Sequence, residues 1–477
     1  MRKQKHPKPL AWLAMASAIA NTGCPVECEG VGCAELFTAT RVVLFHGSAL
    51  PALPLAVEDA HLRVDGDADQ GPDFSAALST EGLWIGAANS GEVLLIDSTP
   101  SETLQMLEDR VLFSIQGETP GDGHGRALVR VPDMDGDGLP ELAVGAPEAR
   151  GGGTHLEAGA AYLYLGASLA NGTLTASDAR LRILGEGAGD HLGSYLLACA
   201  DLAKGDGPAL LVGSPSNSEG APLGGAVHVL AAADLPLLED QVLAGVLDPI
   251  YTGEDPGGQL GRAMACLDGT RPGVALAAPH GAGSLGEAGA GHVYLLPGPL
   301  ASGGPVQKAA SLVLKGVMAG ASLGHSLAAG DVDGDGLSEL LAGAPGTEDG
   351  AGGAFLWTGE DLAAEITLPA YGFLPSGTED RLGRAVAMAD HNGDGHADVI
   401  LGGPRANLAD DTQSFYGAIW IFLGSSPPVW AAQTSAAEAD ITVFSPLAFG
   451  RTGETIVTGD ANGDEAADLL LLLGHQP

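Results

Sequence analysis

A nine-residue acidic loop recurs four times along the chain, as DMDGDGLPE at 133–141, DVDGDGLSE at 331–339, DHNGDGHAD at 390–398 and DANGDEAAD at 460–468. In each, positions 1, 3, 5 and 9 carry side-chain oxygens. Glycine at position 4, usually also at 6, lets the backbone turn tightly enough for those oxygens to converge on one hard cation. The implied side-chain ligands are Asp133, Asp135, Asp137 and Glu141; Asp331, Asp333, Asp335 and Glu339; Asp390, Asn392, Asp394 and Asp398; and Asp460, Asn462, Asp464 and Asp468. The position-7 carbonyls of Leu139, Leu337, His396 and Ala466 are expected to complete the shells. Oxygen-only donors without Cys or a His side chain argue against zinc and for calcium, about four ions per chain.

The loop sits inside a larger repeat. Upstream lies a turn ending in glycine (Gly125, Gly193, Gly261, Gly324, Gly383 and Gly450), then a short apolar run, the loop, and ELAVGAP-like and GAAYLYLG-like segments. Every apolar segment is strand-length and bounded by Gly, Pro or Asp, so each repeat is expected to hold four antiparallel strands, with the loop between the first and second. The glycines recur roughly every 60 to 70 residues, the size of one propeller blade rather than one solenoid turn.

These features resemble the FG-GAP repeats found at the N-terminus of integrin alpha chains, across nearly all of the chain beyond its N-terminal segment. The markers are LAVGAP at 142–147, LLAGAP at 340–345 and VILGGP at 399–404, each preceded by an acidic loop. The match departs at the turn, where Phe precedes glycine only at Phe449. The resemblance implies an all-β fold, a seven-bladed β-propeller of four-stranded antiparallel blades over residues 37–477. Six blades are anchored by the turn glycines, and a degenerate first blade runs through 74–96.

The last repeat stops at DLLLLLGHQP after two strands. The missing pair is expected near the N-terminus, because residues 47–66 align without gaps to 166–185, matching Asp59 with Asp178, Leu62 with Leu181 and Arg63 with Arg182. RVVLFHG at 41–47 and DAHLRV at 59–64 then read as strands three and four of the seventh blade, closing the ring and covering an otherwise open edge.

The same alignment makes DGDADQGPD at 65–73 a turn before a first strand rather than a metal loop, despite its carboxylate spacing. DLAKGDGPA at 201–209 places Lys204 within the loop, and DGTRPG at 268–273 is shortened, so the third and fourth blades are expected to carry plain turns.

A net charge of −39 excludes nucleic acid as a partner, and 73 Gly with 30 Pro suit a turn-dense all-β chain. Arg2, Lys3, Lys5 and Lys8 precede LAWLAMASAIA at 10–20, a signal-peptide pattern over residues 1–23. NTGC at 21–24 resembles a bacterial lipobox, with Asn21 where an aliphatic residue is usual. Lipidation of Cys24 and ordinary cleavage after Ala20 both stand, and membrane attachment is expected only through such a lipid. Residues 24–36 form a Cys-containing linker, in which Cys28 with Cys33 is the natural disulfide if Cys24 is lipidated. Cys199 and Cys266, each two residues before a blade's first Asp, are expected to be buried free thiols.

No GxSxG, HExxH or Walker pattern appears, and the clustered carboxylates stand in calcium geometry, so no enzyme is expected. The resemblance implies an exported adhesion or binding protein, at the cell surface or secreted, recognising a protein or glycan. A propeller enzyme with an unrecognised centre and a purely structural envelope protein are the alternatives. Recognition is expected on the face opposite the acidic loops, where the connections at 148–159, 216–224, 346–352 and 405–417 vary. Arg405, Phe415 and Tyr416 are the candidate anchors, although Phe415 and Tyr416 read equally as residues packing between blades.

Overall fold

The structure, a computed structural model, describes residues 74–97 apart from 80–81, and 110–473 apart from 152–154, 171, 204–206, 301–302, 348–349, 366, 408–415 and 445–450. Elsewhere it describes the strand segments Arg41–Phe45, Leu55–Ala56, Leu62–Asp65 and Gln105–Met106. The leader, the Cys linker, the turn at 66–73, Phe415 and Gly450 therefore lie outside the described residues.

Among the described residues the strands form seven small sheets, and the α-helices are the short Val306–Ala309 and Gly359–Ala363. The pairing follows chain order. In the second sheet Ala127–Val131, Glu141–Ala146, Ala160–Tyr164 and Leu181–Leu184 pair antiparallel in turn, with Leu142 opposite both Arg130 and Tyr164. In the last sheet Ile456–Gly459 and Asp468–Leu473 are followed by Arg41–Phe45 and Leu62–Asp65. Arg41 stands opposite Leu473 and Phe45 opposite Leu469, the pairing that the alignment of 47–66 with 166–185 leads one to expect.

The second and third strands read as continuous apolar runs because neighbouring sheets cover both of their faces. Leu142 and Val144 pack toward Trp84 and Phe113 of the first sheet, while Ala143 packs toward Leu210 and Val212 of the third. The pattern repeats from sheet to sheet, down to Ile400 and Ile419 with Leu469, and Leu83 and Ile85 with Leu470. The first strands touch one another in the same order, and Ile456–Gly459 touches Phe74–Ser79, the first strand of the first sheet.

Paired glycines hold these sheets close. Gly193 turns at φ +85°, and a Cβ on Gly145 would lie 1.9 Å from its carbonyl oxygen, so the glycine of LAVGAP is demanded by the next repeat's turn. The same contact joins Gly402 to Gly453, which has φ +90°. The last turn glycine is therefore Gly453 of RTG rather than Gly450, and Phe449 does not stand before it.

The expectation of four strands per sheet is corrected in six of the seven sheets. A short strand from the next repeat's third-to-fourth connection joins the outer edge in parallel: Thr173–Thr175 on Val111–Gln116, Gln241–Leu243 on Leu181–Leu184, and Gln433–Ser435 on Tyr371–Leu374. Leu55–Ala56 does the same for Ile441–Phe444, Gln105–Met106 for Leu62–Asp65, and Gly304–Pro305 for Ile250–Thr252. Edge N–H and C=O groups demand partners, and the neighbouring connection supplies them.

Candidate metal centre

Each acidic loop joins a first strand to a second and is shaped by its own carboxylates. In 133–141, Asp133 accepts from the N–H groups of Gly136 (2.7 Å) and Gly138 (2.8 Å), Asp135 from Asp137 (3.0 Å), and Asp137 from Leu139 (2.8 Å). The other three repeat this plan. Asp331, Asp390 and Asp460 each accept from position 4 at 2.6–2.7 Å, and Asp335, Asp394 and Asp464 accept from position 7. Positions 4 and 6 turn at positive φ, as at Gly136 (+85°) and Gly138 (+87°). Glu465 occupies the sixth position of the last loop at φ +71°, where a side chain is strained.

The side chains converge. Oxygens of Asp133, Asp135, Asp137 and Glu141 lie within 4.8 Å of one another, as do those of Asp331, Asp333 and Asp335. Position 9 opens the second strand and is fully buried in all four repeats. Glu141 accepts from Met134 N (2.9 Å) through Oε2, while its buried Oε1 has no hydrogen-bond partner. A buried carboxylate that keeps an oxygen without a hydrogen-bond partner and converges with three aspartates fits a cation in this loop. Glu339 is held otherwise, its two oxygens accepting from Val332 N (2.7 Å) and Gly359 N (2.9 Å). Asp398 likewise accepts from His391 N and Gly424 N, both at 2.9 Å, and Asp468 from Ala461 N at 2.8 Å. Burial pushes the carboxyls of Glu141 and Glu339 up to about 7 and that of Asp398 to about 6, partly opposed by these N–H groups. The backbone hydrogen bonds to Asp133 hold its carboxyl below its usual value.

In the third and fourth loops the amide Nδ2 atoms of Asn392 and Asn462 donate to Asp394 (2.9 Å) and Asp464 (3.2 Å). Adjacent loops are bonded too. Ala397 N donates to the carbonyl of Asp331 (2.8 Å), and Ala467 N to that of Asp390 (2.7 Å). His396 sets its ring beside Gly334 of the preceding loop.

The third and fourth repeats differ. Tyr195–Ala203 continues as strand past Asp201, and a short turn joins Ala263–Leu267 to Gly273–Ala278. Here Cys199 and Cys266 are joined in a disulfide, correcting the expectation of free thiols. Their matched positions on touching first strands bring the Cα atoms to 5.7 Å, within bonding range.

The FG-GAP repeat family matches at residues 124–164 and 323–357, segments that contain the first two acidic loops. The chain carries FG-GAP repeats. Phosphatidylinositol-glycan-specific phospholipase D of Bos taurus is 30% identical over 162 residues, 31% of this chain and 18% of that protein. Integrin alpha pat-2 of Caenorhabditis elegans is 31% identical over 160 residues, 31% of this chain and 12% of that protein. The matches thus span less than a fifth of these relatives' own length. A solved structure, the Dos1 propeller, is 12% identical with a TM-score of 0.41, over 84% of this chain and 77% of that one.

At the other end of the FG-GAP repeats, Arg405 N donates to the carbonyl of Asp380 (3.2 Å), and the carbonyl of Tyr416 accepts from Thr452 N (3.3 Å). Both connections lie beside the turns that lead into first strands. No described helix is long and apolar enough to cross a membrane.

Proposed function

We propose that the chain is a calcium-stabilised, seven-bladed propeller, closed by the N-terminal strands of its last blade, that is exported and binds a protein or glycan partner. The closure draws on the circular run of contacts between first strands and on the pairing of Arg41–Phe45 with Asp468–Leu473. The observation that carries calcium is the set of four loops on one hydrogen-bond plan, above all the convergence of Asp133, Asp135, Asp137 and Glu141. Asp331, Asp333 and Asp335, and the matching oxygens of the last two loops, would hold the other ions. Calcium would neutralise clustered carboxylates and cross-link each loop to itself.

With one end of the sheets committed to metal, recognition falls to the varied connections at the opposite end, where Arg405 and Tyr416 stand. The leader pattern supports export, to a cell surface through a lipid on Cys24 or as a secreted protein. Capture from cell-surface material, run with calcium and with chelator, tests the reading. Alanine at Arg405 and Tyr416 should weaken capture without lowering the melting temperature; loss only on mutating loop 133–141 or 331–339 would place the partner at the metal end instead.

A further inference from the structure

The chain has 21 Lys and Arg against 60 Asp and Glu, yet arginines gather at the end of the first strands opposite the acidic loops. The residue after each turn glycine stands just before a first strand, and the first strands touch one another in order. That position holds Arg126, Arg262 and Arg384, each within a repeated Gly-Arg-Ala, and His325 in the fifth repeat.

Two neighbouring clusters of basic side chains result. In one, Arg126 and Arg262 line a cavity of about 510 Å³ together with His191, Tyr195 and Glu148. The Arg262 guanidinium lies over the Tyr195 ring, 5.9 Å from its centroid, and donates to Gln259 Oε1 (3.3 Å). In the other, Arg384 donates through Nε to Glu454 (2.8 Å), and Arg451 lies 3.6 Å from the same carboxylate. Arg384 also donates to His325 Nε2. The carbonyl of Arg381 accepts from Arg384 N (3.1 Å), and burial, then the like charges of Arg405 and Arg384, lower the pKa of the Arg381 guanidinium.

We propose that this end of the axis binds an oxyanion, a carboxylate, sulfate or phosphate group carried by a small molecule or by the end of a larger chain. Guanidinium forks match such groups in pairs of parallel hydrogen bonds, and Arg262 and Arg381 are both only partly buried. The cavity has the size of an ordinary small-ligand site. The proposal rests on the assignment of recognition to this end and names the ligand chemistry there.

The test uses the full exported chain with calcium present and constant ionic strength. Glucose 6-phosphate, glucuronate and inorganic sulfate are titrated separately, with glucose as the neutral control, and binding is read by calorimetry and thermal shift. At least one anion should bind and glucose should not, with affinity falling as salt rises. Loss of a charged hydrogen-bonding partner should weaken binding about tenfold or more in Arg262→Gln or Arg381→Gln, and Arg262→Lys, which keeps charge but not the fork, should restore only part of it. Calcium stoichiometry measured on the same variants should be unchanged, which shows that they fold. Binding of no anion, or anion binding indifferent to both Gln variants, overturns the proposal. Anion binding in a protein that captures no cell-surface partner would sink the wider recognition reading and leave this one standing.

Discussion

Cys199 is disulfide-bonded to Cys266 across the first strands of the third and fourth sheets, the two repeats whose turns lack the acidic loop. The acidic loops of the last three repeats are bonded one to the next, Ala397 N to the carbonyl of Asp331 and Ala467 N to that of Asp390. A covalent link thus stands where loop-to-loop ties through acidic loops are missing.

Removing that link should cost stability. The bonded cysteines are 67 residues apart, and the chain-entropy account gives about 4 kcal/mol for closing such a loop in the unfolded chain. A Cys199→Ser, Cys266→Ser double variant should melt at a lower temperature, with calcium stoichiometry unchanged. Equal melting of variant and parent under oxidising conditions would count against a stabilising role.

Calcium should bind at about four ions per chain and raise the melting temperature, because it binds the folded loops alone. Loop 133–141, where four carboxylates converge, and loop 331–339, which has three converging aspartates and Glu339 behind them, should bind more tightly than the two loops with three carboxylates in all, and 460–468 should be weakest. Glu465→Gly should relieve the positive φ and stabilise the last loop by about 0.5–1 kcal/mol. Calorimetry of the parent and of Asp133→Asn, Asp331→Asn and Glu465→Gly checks the order; unchanged melting with chelator would refute the premise.

The response to pH should reverse with calcium. Glu141 and Glu339 are pushed up to about 7 and Asp398 to about 6 by burial, so their protonated forms suit the metal-free fold. Groups raised in the folded state contribute stability below their unfolded values and lose it as pH climbs through the folded ones. In chelator, stability should therefore decline between about pH 4.5 and 7 from these groups. Calcium needs the ionised carboxylates, so its affinity should rise over the same interval, with proton release. Melting curves at pH 5, 6, 7 and 8, with chelator and with calcium, separate the two trends; parallel curves would refute the coupling.

The N-terminal strands should be required for solubility. Arg41–Phe45 covers the edge of Asp468–Leu473, and its loss leaves a long apolar edge open to other chains. Deleting 36–64 should produce aggregation, whereas deleting 1–35 should not. A soluble, cooperatively melting protein without 36–64 would show that the edge needs no cover.

Much of this was legible in the sequence because it is local or periodic. The acidic loops are contiguous, so the spacing of Asp133, Asp135 and Asp137 already implies the convergence. The register of Leu62 with Leu181 likewise implies that an N-terminal segment has the form of a third and fourth strand. Other features depend on what lies beside a residue from another repeat. Thr173–Thr175 is three residues with no apolar period of its own, and it becomes a strand because Val111–Gln116 presents an open edge to it. Gly453 rather than Gly450 is the last turn glycine because Gly402 needs room against it. Two apolar cysteine sites became one bond only when neighbouring first strands set them face to face. The Gly-Arg-Ala triplets were visible in the chain, but their meeting with Arg381 and Arg451 was decided by how the sheets are arranged about one another, since charge adds up over distance in space and not along the sequence.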